Sequence, residues 1–599
     1  MKTGMAALIL VVAVVASYLP ALGNGFVWDD TALVLRDPLI RSWRLIPEGF
    51  NHYLFVDATA SDFYRPMQRL TYTLEYALFG FRPGPYHLTN ILLHSAAAVA
   101  LLLLANEILV ALGFDRNKAR LVAFIAGLVW AIHPVHNAAV VYVSGRADPM
   151  AAFFGFTGCY LVLCALRRKS RERYLFLAGA AVAFLFAALS KETGLLFPVL
   201  AIAFCILLKN RRAAVELVVV TIFVGVSYLS LRLAAEHDAV PVLGPPTPVA
   251  LRPITAARAV AEYGGLLVFP WNLHMERDVQ NSLVRHHVAD VAAKRELQTI
   301  AGVCLIGLTL YLAIRIRRRN PVVFGLVVLA GISYLPVCGI FALNASVAEH
   351  WIYVPSAFLF LAAAVGIAGQ IENNRIPHLI RMGAAVALAC WSLFLTVRTF
   401  VRTFDWKDQR TFLERTIASG GDSARMLINL GYLEMGEGHF DLAKQNLEAA
   451  LRQQPDQPLA ILGLGTVALK ENDFAAARQL LGLAAHRPPV EAQAHELLAV
   501  LENKENGRAN LLRLRLAART GPPNWSIEKR YVNALNETGA TVQAARELES
   551  CLRTEWYRAE SWQLLGKLLT RLGRPKQAAL ALAQANAYDV HLDRVRVVF

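Results

Sequence analysis

Residues 428–455 read INLGYLEMGEGHFDLAKQNLEAALRQQP, and residues 462–489 read LGLGTVALKENDFAAARQLLGLAAHRPP. Laid over one another, they share one frame. Leu430-Gly431 returns as Leu464-Gly465, and Ala443, Leu447, Ala450 and Pro455 return as Ala477, Leu481, Ala484 and Pro489. Further on, Tyr531, Gly539, Ala544 and Leu548 return as Leu565, Gly573, Ala578 and Leu582. A recurrence of about 34 residues, with small residues where paired helices cross and Pro after the second helix, marks tetratricopeptide repeats. One helix pair cannot bury its apolar face alone, so such units stack. The expected array covers residues 425–599 in about five repeats, the middle one degenerate around 497–530. Arrays of this kind bind peptides or proteins along one face, with a structural spacer as the bland reading.

Upstream of the array the composition changes. The whole chain of 599 residues is 56% hydrophobic and only 18% charged, against about 25% charged in an ordinary soluble domain. The deficit lies before residue 398, where apolar runs approach the roughly 20 residues that cross a bilayer. They occur at 5–22, 88–111, 119–135, 149–166, 174–189, 193–209, 213–231, 298–314, 321–342, 351–370 and 380–397, about eleven spans. The expected fold class is therefore all-α: a polytopic membrane helix bundle over 1–398, a connecting helix or linker over 399–424, then an α-solenoid. Residues 1–23 read as a retained first helix rather than a signal peptide.

The net charge of +15 invites a nucleic-acid reading, but the basic residues sit in short loops between apolar runs, where topology explains them. Arg116, Lys118 and Arg120, then Arg167 to Arg173, Lys209 to Arg212, Arg315 to Arg319, and Arg375 with Arg381 fall on one side if 254–270 does not cross. Cytoplasmic loops carry such an excess. The N-terminus is then inside, and the repeat array lies outside: periplasm for a bacterial inner membrane, lumen for an endoplasmic reticulum membrane. The seven Cys lack metal or disulfide spacing, and no metal or cofactor is expected.

Polar groups at a membrane are costly and point to function. Four outer loops carry them. The first holds Trp28-Asp29-Asp30 and Tyr64-Arg65-Pro66; adjacent carboxylates beyond a span suit general-base work or metal binding. The second holds His133-Pro134-Val135-His136 and Ser144-Gly145-Arg146-Ala147-Asp148, where proton transfer or substrate contact is favoured over a metal and Arg146–Asp148 is a candidate ion pair. The third, Ser190-Lys191-Glu192, offers a cation to phosphate, with a Lys191–Glu192 surface pair as the bland reading. The fourth is Glu349-His350-Trp351-Ile352-Tyr353.

The order Trp28-Asp29-Asp30, Tyr64-Arg65-Pro66, Tyr86-His87-Leu88-Thr89-Asn90-Ile91-Leu92-Leu93-His94 resembles the transmembrane and tetratricopeptide-repeat O-mannosyltransferases. His133-Pro134-Val135-His136, Ser144-Gly145-Arg146-Ala147-Asp148, Lys191-Glu192-Thr193-Gly194, Ala348-Glu349 with Tyr353-Val354-Pro355-Ser356, and the repeats continue it in the same order. The short array resembles that of a bacterial relative. The resemblance implies a GT-C membrane fold and inverting transfer of mannose or another hexose from a polyprenyl-phosphate carrier to a hydroxyl, protein Ser or Thr, on the outer face. It implies a base at Asp29 or Asp30, with a lean to Asp29. It implies donor-phosphate contacts from Lys191, Arg146, Arg65 and His350, supported by His133, His136, Asp148, Glu192 and Glu349. His350 stands where that family usually has Arg, and Ala138 near where it often has an acid. A non-catalytic scaffold whose repeats recruit envelope-assembly or export partners is the alternative. A lipid or polymer transporter, which wants broken helices or charges at mid-span, finds a foothold only in 254–270.

Overall fold

The computed structural model describes residues 2–56, 62–236, 248–277, 279, 288–340, 345–371 and 377–592. Among them every regular element is a helix. The membrane body contains α1 (Thr3–Tyr18), α2 (Pro66–Phe79), α3 (Pro83–Ala111), α4 (Arg116–Ala131), α5 (Ala147–Leu166), α6 (Ser170–Ser190) and α7 (Leu196–Leu207). It continues with α8 (Arg211–Ala234), α9 (Arg252–Val268), α10 (Val288–Ile316), α11 (Pro321–Tyr334), α12 (Tyr353–Ile371) and α13 (His378–Thr403).

Eight described helices are long and apolar enough to cross a bilayer, so the chain is a multi-pass membrane protein. The run at 119–135 is not one straight span. Its helix stops at Ala131 and resumes at Pro134–Val140, bent by 54°, because proline has no N–H to give and its ring disfavours helix in the residue before it. Counting this bent pair as one span gives nine. The runs at 193–209 and 321–342 form shorter apolar helices, Glu192–Leu207 and Pro321–Val337. The ambiguous stretch 254–270 is α9, whose last residue accepts a hydrogen bond at Val268 O from the Trp391 indole N–H.

Local chemistry sets the helix ends. Asp115 accepts from the N–H groups of Asn117 and Lys118 at the start of α4, and Asn210 accepts from Ala213 at the start of α8. Such caps satisfy amides that have no partner within the helix. Pro66 and Pro83 occupy the first turns of α2 and α3, where a missing N–H costs nothing.

Beyond α13 come α14 (Gln409–Ala418) and five antiparallel pairs: α15 (Ala424–Gly436) with α16 (Phe440–Gln453), α17 (Pro458–Lys470) with α18 (Phe474–Ala484), α19 (Glu491–Asn506) with α20 (Leu511–Arg519), α21 (Trp525–Glu537) with α22 (Thr541–Cys551), and α23 (Ala559–Arg571) with α24 (Pro575–Tyr588). The array touches the membrane body at both ends. At its start, Trp406, Phe412, Leu413 and Met426 are buried in the same apolar core as Tyr18, Val27 and Tyr142. At its finish, Trp556, Tyr557 and Tyr588 pack with Leu39, Leu45 and Val56 of the first long loop. Tyr76 OH donates to Asp589 Oδ1 at 2.8 Å, and Ser42 Oγ donates to Ala587 O at 2.9 Å. The solenoid therefore arches back onto the loop face rather than trailing from it.

Candidate active site

The first long loop is organised by one buried ion pair. Arg69 of α2 bonds Asp37 at 3.0 Å, and its other nitrogens donate to the carbonyls of Gly49, His52, Tyr53 and Leu54. This gathers residues 37–54 around the start of α2, leaving Trp28-Asp29-Asp30 at the inner edge. Trp28 has φ 55°, a left-handed conformation that a bulky residue adopts only when its surroundings enforce it. The enforcing contacts come from beyond the last membrane helix. Trp28 N–H donates to Gln409 Oε1 at 2.7 Å, its ring meets Phe412 at 5.6 Å, and Gly25 N–H donates to Lys407 O at 2.8 Å.

This turn gives the two acids different surroundings. Asp30 is fully buried. Its Oδ1 accepts from Ser144 N–H at 2.7 Å and Ser144 Oγ at 2.5 Å, and its Oδ2 accepts from Val27 N–H at 3.0 Å. Burial pushes its carboxyl up to about 7, against the hydrogen bonds from Ser144 and Val27. Asp29 is half-buried. Burial also raises its carboxyl, opposed first by a hydrogen bond from Tyr142, then by the positive charges of Arg425 and Arg65. Tyr142 OH in turn accepts the Asp29 N–H at 3.1 Å, and the Tyr142 ring stacks on Trp406 at 5.4 Å.

The cations follow a pattern that neighbour spacing does not suggest. Arg146 pairs with Glu75 at 2.5 Å, not with Asp148. It also donates to Thr71 Oγ1, Asn90 Oδ1 and Tyr86 O and lies over the Tyr72 ring, fully buried. Protein surrounds its guanidinium on all sides, so it braces the second loop and has no face to offer a phosphate. Lys191 reaches past its neighbour Glu192 to Asp148 Oδ1 at 2.6 Å. Glu192 instead takes Arg65 as a fork, Nε at 3.2 Å from Oε1 and Nη2 at 2.8 Å from Oε2, the bidentate geometry guanidinium favours. Burial lowers the Lys191 ammonium, and the Asp148 carboxylate pulls the other way.

The glycines of both motifs are steric requirements. A Cβ on Gly145 would stand 2.3 Å from Ala138 O, and one on Gly194 2.2 Å from Ala187 O. These close approaches set Ser144 against Asp30 and Lys191 against Asp148.

Lys191 and Asp148 line a narrow recess. His350 and Trp351 line it too, and Leu196, Phe197, Leu200, Val337 and Val354 carry its wall inward. A second narrow apolar crevice shares Leu200 and is lined by Ala201, Phe204, Leu329 and Phe358. Arg65 links the recess to the Trp28-Asp29-Asp30 turn: its charge acts on both Lys191 and Asp29. Asp29, Arg65, Glu192, Lys191, Asp148 and His350 thus form one electrostatic group.

The other sequence candidates lie apart from it. His133 and His136 are fully buried in an aromatic box with His94, Trp130 and Tyr353. His133 accepts from Val135 N–H at Nδ1 and donates to Leu267 O from Nε2. His94 accepts from Tyr353 OH and donates to Ala131 O. Those four ring nitrogens are committed and unavailable to a metal. Glu349 turns away from His350, toward Arg402 at 3.8 Å and Arg277 at 4.0 Å. Tyr142, Trp406, Gln409 and Arg425 had no motif to announce them. Asn90 did, as a polar residue in an apolar run: it donates to the carbonyls of Val140, Tyr142 and Val143.

Residues 434–501 match the tetratricopeptide repeat family model. The chain is 25% identical over 463 residues to the protein O-mannosyl-transferase F38B6.6 of Caenorhabditis elegans, covering 75% of this chain and 62% of that one. It is 23% identical over 488 residues to the protein O-mannosyl-transferase TMTC3 of Homo sapiens, covering 75% and 51%. The chain thus spans about half to three-fifths of the length of these relatives. Among solved structures, ArnT from Cupriavidus metallidurans bound to undecaprenyl phosphate aligns over 84% of this chain and 81% of its own, at 17% identity and a TM-score of 0.37, too low a score to bear on the site. Over three quarters of its length, this chain is similar in sequence to proteins named protein O-mannosyl-transferases.

Proposed function

We propose that the chain is a GT-C-type membrane glycosyltransferase that moves a hexose from a polyprenyl-phosphate carrier to a hydroxyl of an acceptor protein. Asp29 is the base. The acceptor O–H gives its proton to the Asp29 carboxylate while the oxygen attacks the anomeric carbon from the face opposite the carrier. The bond from that carbon to the phosphate oxygen breaks, and polyprenyl phosphate leaves with inversion. Lys191 and Arg65 stabilise the charge that grows on the leaving phosphate, the kind of preorganised contact that counts most in a site shielded from water. His350 lines the head of the recess with Lys191, and the apolar wall below takes the first isoprene units. No step is routed through a metal.

The observation that carries this reading is the inequality of the two acids. Both Asp30 oxygens are engaged by Ser144 and Val27, whereas the half-buried Asp29 shares an electrostatic neighbourhood with the cations at the recess. The relatives' name, protein O-mannosyl-transferase, supports hexose transfer to protein. The repeat array, of a fold that gathers polypeptide segments, then collects the acceptor on the face where the loops lie. The outer side of the membrane, lumen or periplasm, is proposed for the array on the basic-loop argument. The test is transfer from a panel of radiolabelled polyprenyl-phosphate hexoses to a Ser/Thr-rich peptide by purified protein in lipid. One productive donor, lost in D29N, supports the reading; transfer undiminished in D29N refutes it.

A further inference from the structure

By sequence Arg425 belongs to the repeat array, in the first turn of α15, yet it reaches the turn that carries the proposed base. Its guanidinium carbon lies 5.4 Å from the centroid of the Trp28 ring. It also ion-pairs with Glu276, and Ser423 donates to the same carboxylate at 3.1 Å. Trp28 is the residue before Asp29 and holds the left-handed φ of 55°. Gln409, Phe412 and Arg425 grip its N–H and ring, and all three lie beyond the last membrane helix. Met426, next to Arg425, is fully buried in the membrane-body core, so α15 cannot shift without disturbing that core.

We propose that Arg425 is a positioning residue for Asp29, so that the first helix of the repeat array is a wall of the catalytic site and reports the array's state to the base through the Trp28 ring. The inference rests on the reading of Asp29 as base. The groups that face Asp29 are Arg65 at the start of α2, Tyr142 of the second loop, Asp30 of its own turn, and Arg425. The array therefore supplies one of the two cations that favour the ionised carboxylate. An acceptor polypeptide that moves α15 changes the stance and the basicity of Asp29 together, which couples acceptor engagement to transfer.

The test compares full-length wild type, D29N, R425M, R425K and E276Q in lipid nanodiscs, with undecaprenyl-phosphate [3H]mannose and a Ser/Thr-rich peptide, across pH 5 to 8. R425M removes the charge. Its kcat is expected to fall about tenfold at the acid end and much less at pH 8, with donor KM within about twofold, because one lost cation moves a carboxylate ionisation upward. R425K keeps the charge and is expected to hold the acid limb of wild type. E276Q frees Arg425 from its competing carboxylate and is expected to move the limb toward lower pH, which keeps the inference testable if R425M does not fold. If D29N is inert and neither R425M nor E276Q moves the limb, the inference falls and the base assignment stands. If D29N transfers as well as wild type, the base assignment falls and takes this inference with it.

Discussion

Asp30 and Ser144 are joined twice, by the Ser144 N–H at 2.7 Å and its hydroxyl at 2.5 Å, both to Oδ1. This link locks the end of the first loop's Trp-Asp-Asp turn to the second loop. It engages Asp30 in holding the two loops together, and under the proposed function Asp29, one residue away, is the base.

Asp30→Asn is therefore expected to act on stability. The Asn amide would point a donor at the Val27 N–H or at Ser144, leaving a buried polar group unsatisfied, which costs about 1–3 kcal/mol. Thermal unfolding in detergent should show the loss, with transfer per folded molecule largely kept. The pH dependence has a definite sign. The Asp30 carboxyl is raised to about 7 in the fold, from about 3.9 unfolded. Its contribution is complete below the unfolded value and is lost as pH rises through about 7. Wild type should lose stability over that window by a component that Asp30→Asn lacks.

Lys191 and Asp148 form a buried ion pair, and a double-mutant cycle separates that structural role from the proposed donor contact. Lys191→Met leaves Asp148 buried and unpaired, a change worth about 3–5 kcal/mol for a buried pair. Adding Asp148→Asn should recover much of that stability. It should not recover donor binding, because a charged contact to phosphate worth about 1.5–3 kcal/mol is gone in both, and donor KM should rise about tenfold or more. Recovery of both would make Lys191 a structural residue only.

Arg146 and Arg65 should fail in opposite ways. Arg146→Met strands Glu75 and Asn90 in the interior and is expected to cost about 3–5 kcal/mol, read as lost expression or a lower unfolding temperature. Arg65 pairs with the partly exposed Glu192 and keeps 13% of its own side chain exposed. Arg65→Met should fold and lose transfer, with Arg65→Lys a partial substitute because Lys cannot reproduce the fork on Glu192.

Chelation should leave transfer intact. Under the proposed function Lys191 and Arg65 take the part that a metal plays for nucleotide-sugar donors, and His94 and His133 have their ring nitrogens engaged. Among the described residues, the acids and His that meet closely enough to hold an ion are Glu434, Glu437 and His439 in the array, where Arg410 already occupies both carboxylates. Transfer in EDTA equal to untreated enzyme is the expected result; restoration by one divalent ion after EDTA would contradict it.

The repeat array was legible because its signal is periodic: Gly431 and Gly465, or Leu447 and Leu481, do the same job one unit apart. The long helices were legible because bilayer thickness sets their length. The break at His133-Pro134 was signalled by the proline. What spacing could not resolve was which charge meets which. Sequence neighbours suggested Arg146 with Asp148 and Lys191 with Glu192, but the helices cross so that Arg146 meets Glu75, Lys191 meets Asp148 and Arg65 meets Glu192. Asp29 and Asp30 were indistinguishable for the same reason: adjacency in sequence says nothing about which side of a turn a side chain leaves. Arg425 and Tyr142 act on Asp29 from far along the chain, with no local pattern to mark either.

The most direct measurement is sugar transfer by Asp29→Asn beside Asp30→Asn, at matched amounts of folded protein in lipid, from the productive polyprenyl-phosphate hexose. Loss of about a hundredfold or more in Asp29→Asn, with Asp30→Asn active once corrected for folding, is the expected result. Full activity in Asp29→Asn, or loss confined to Asp30→Asn, would contradict the assignment of the base.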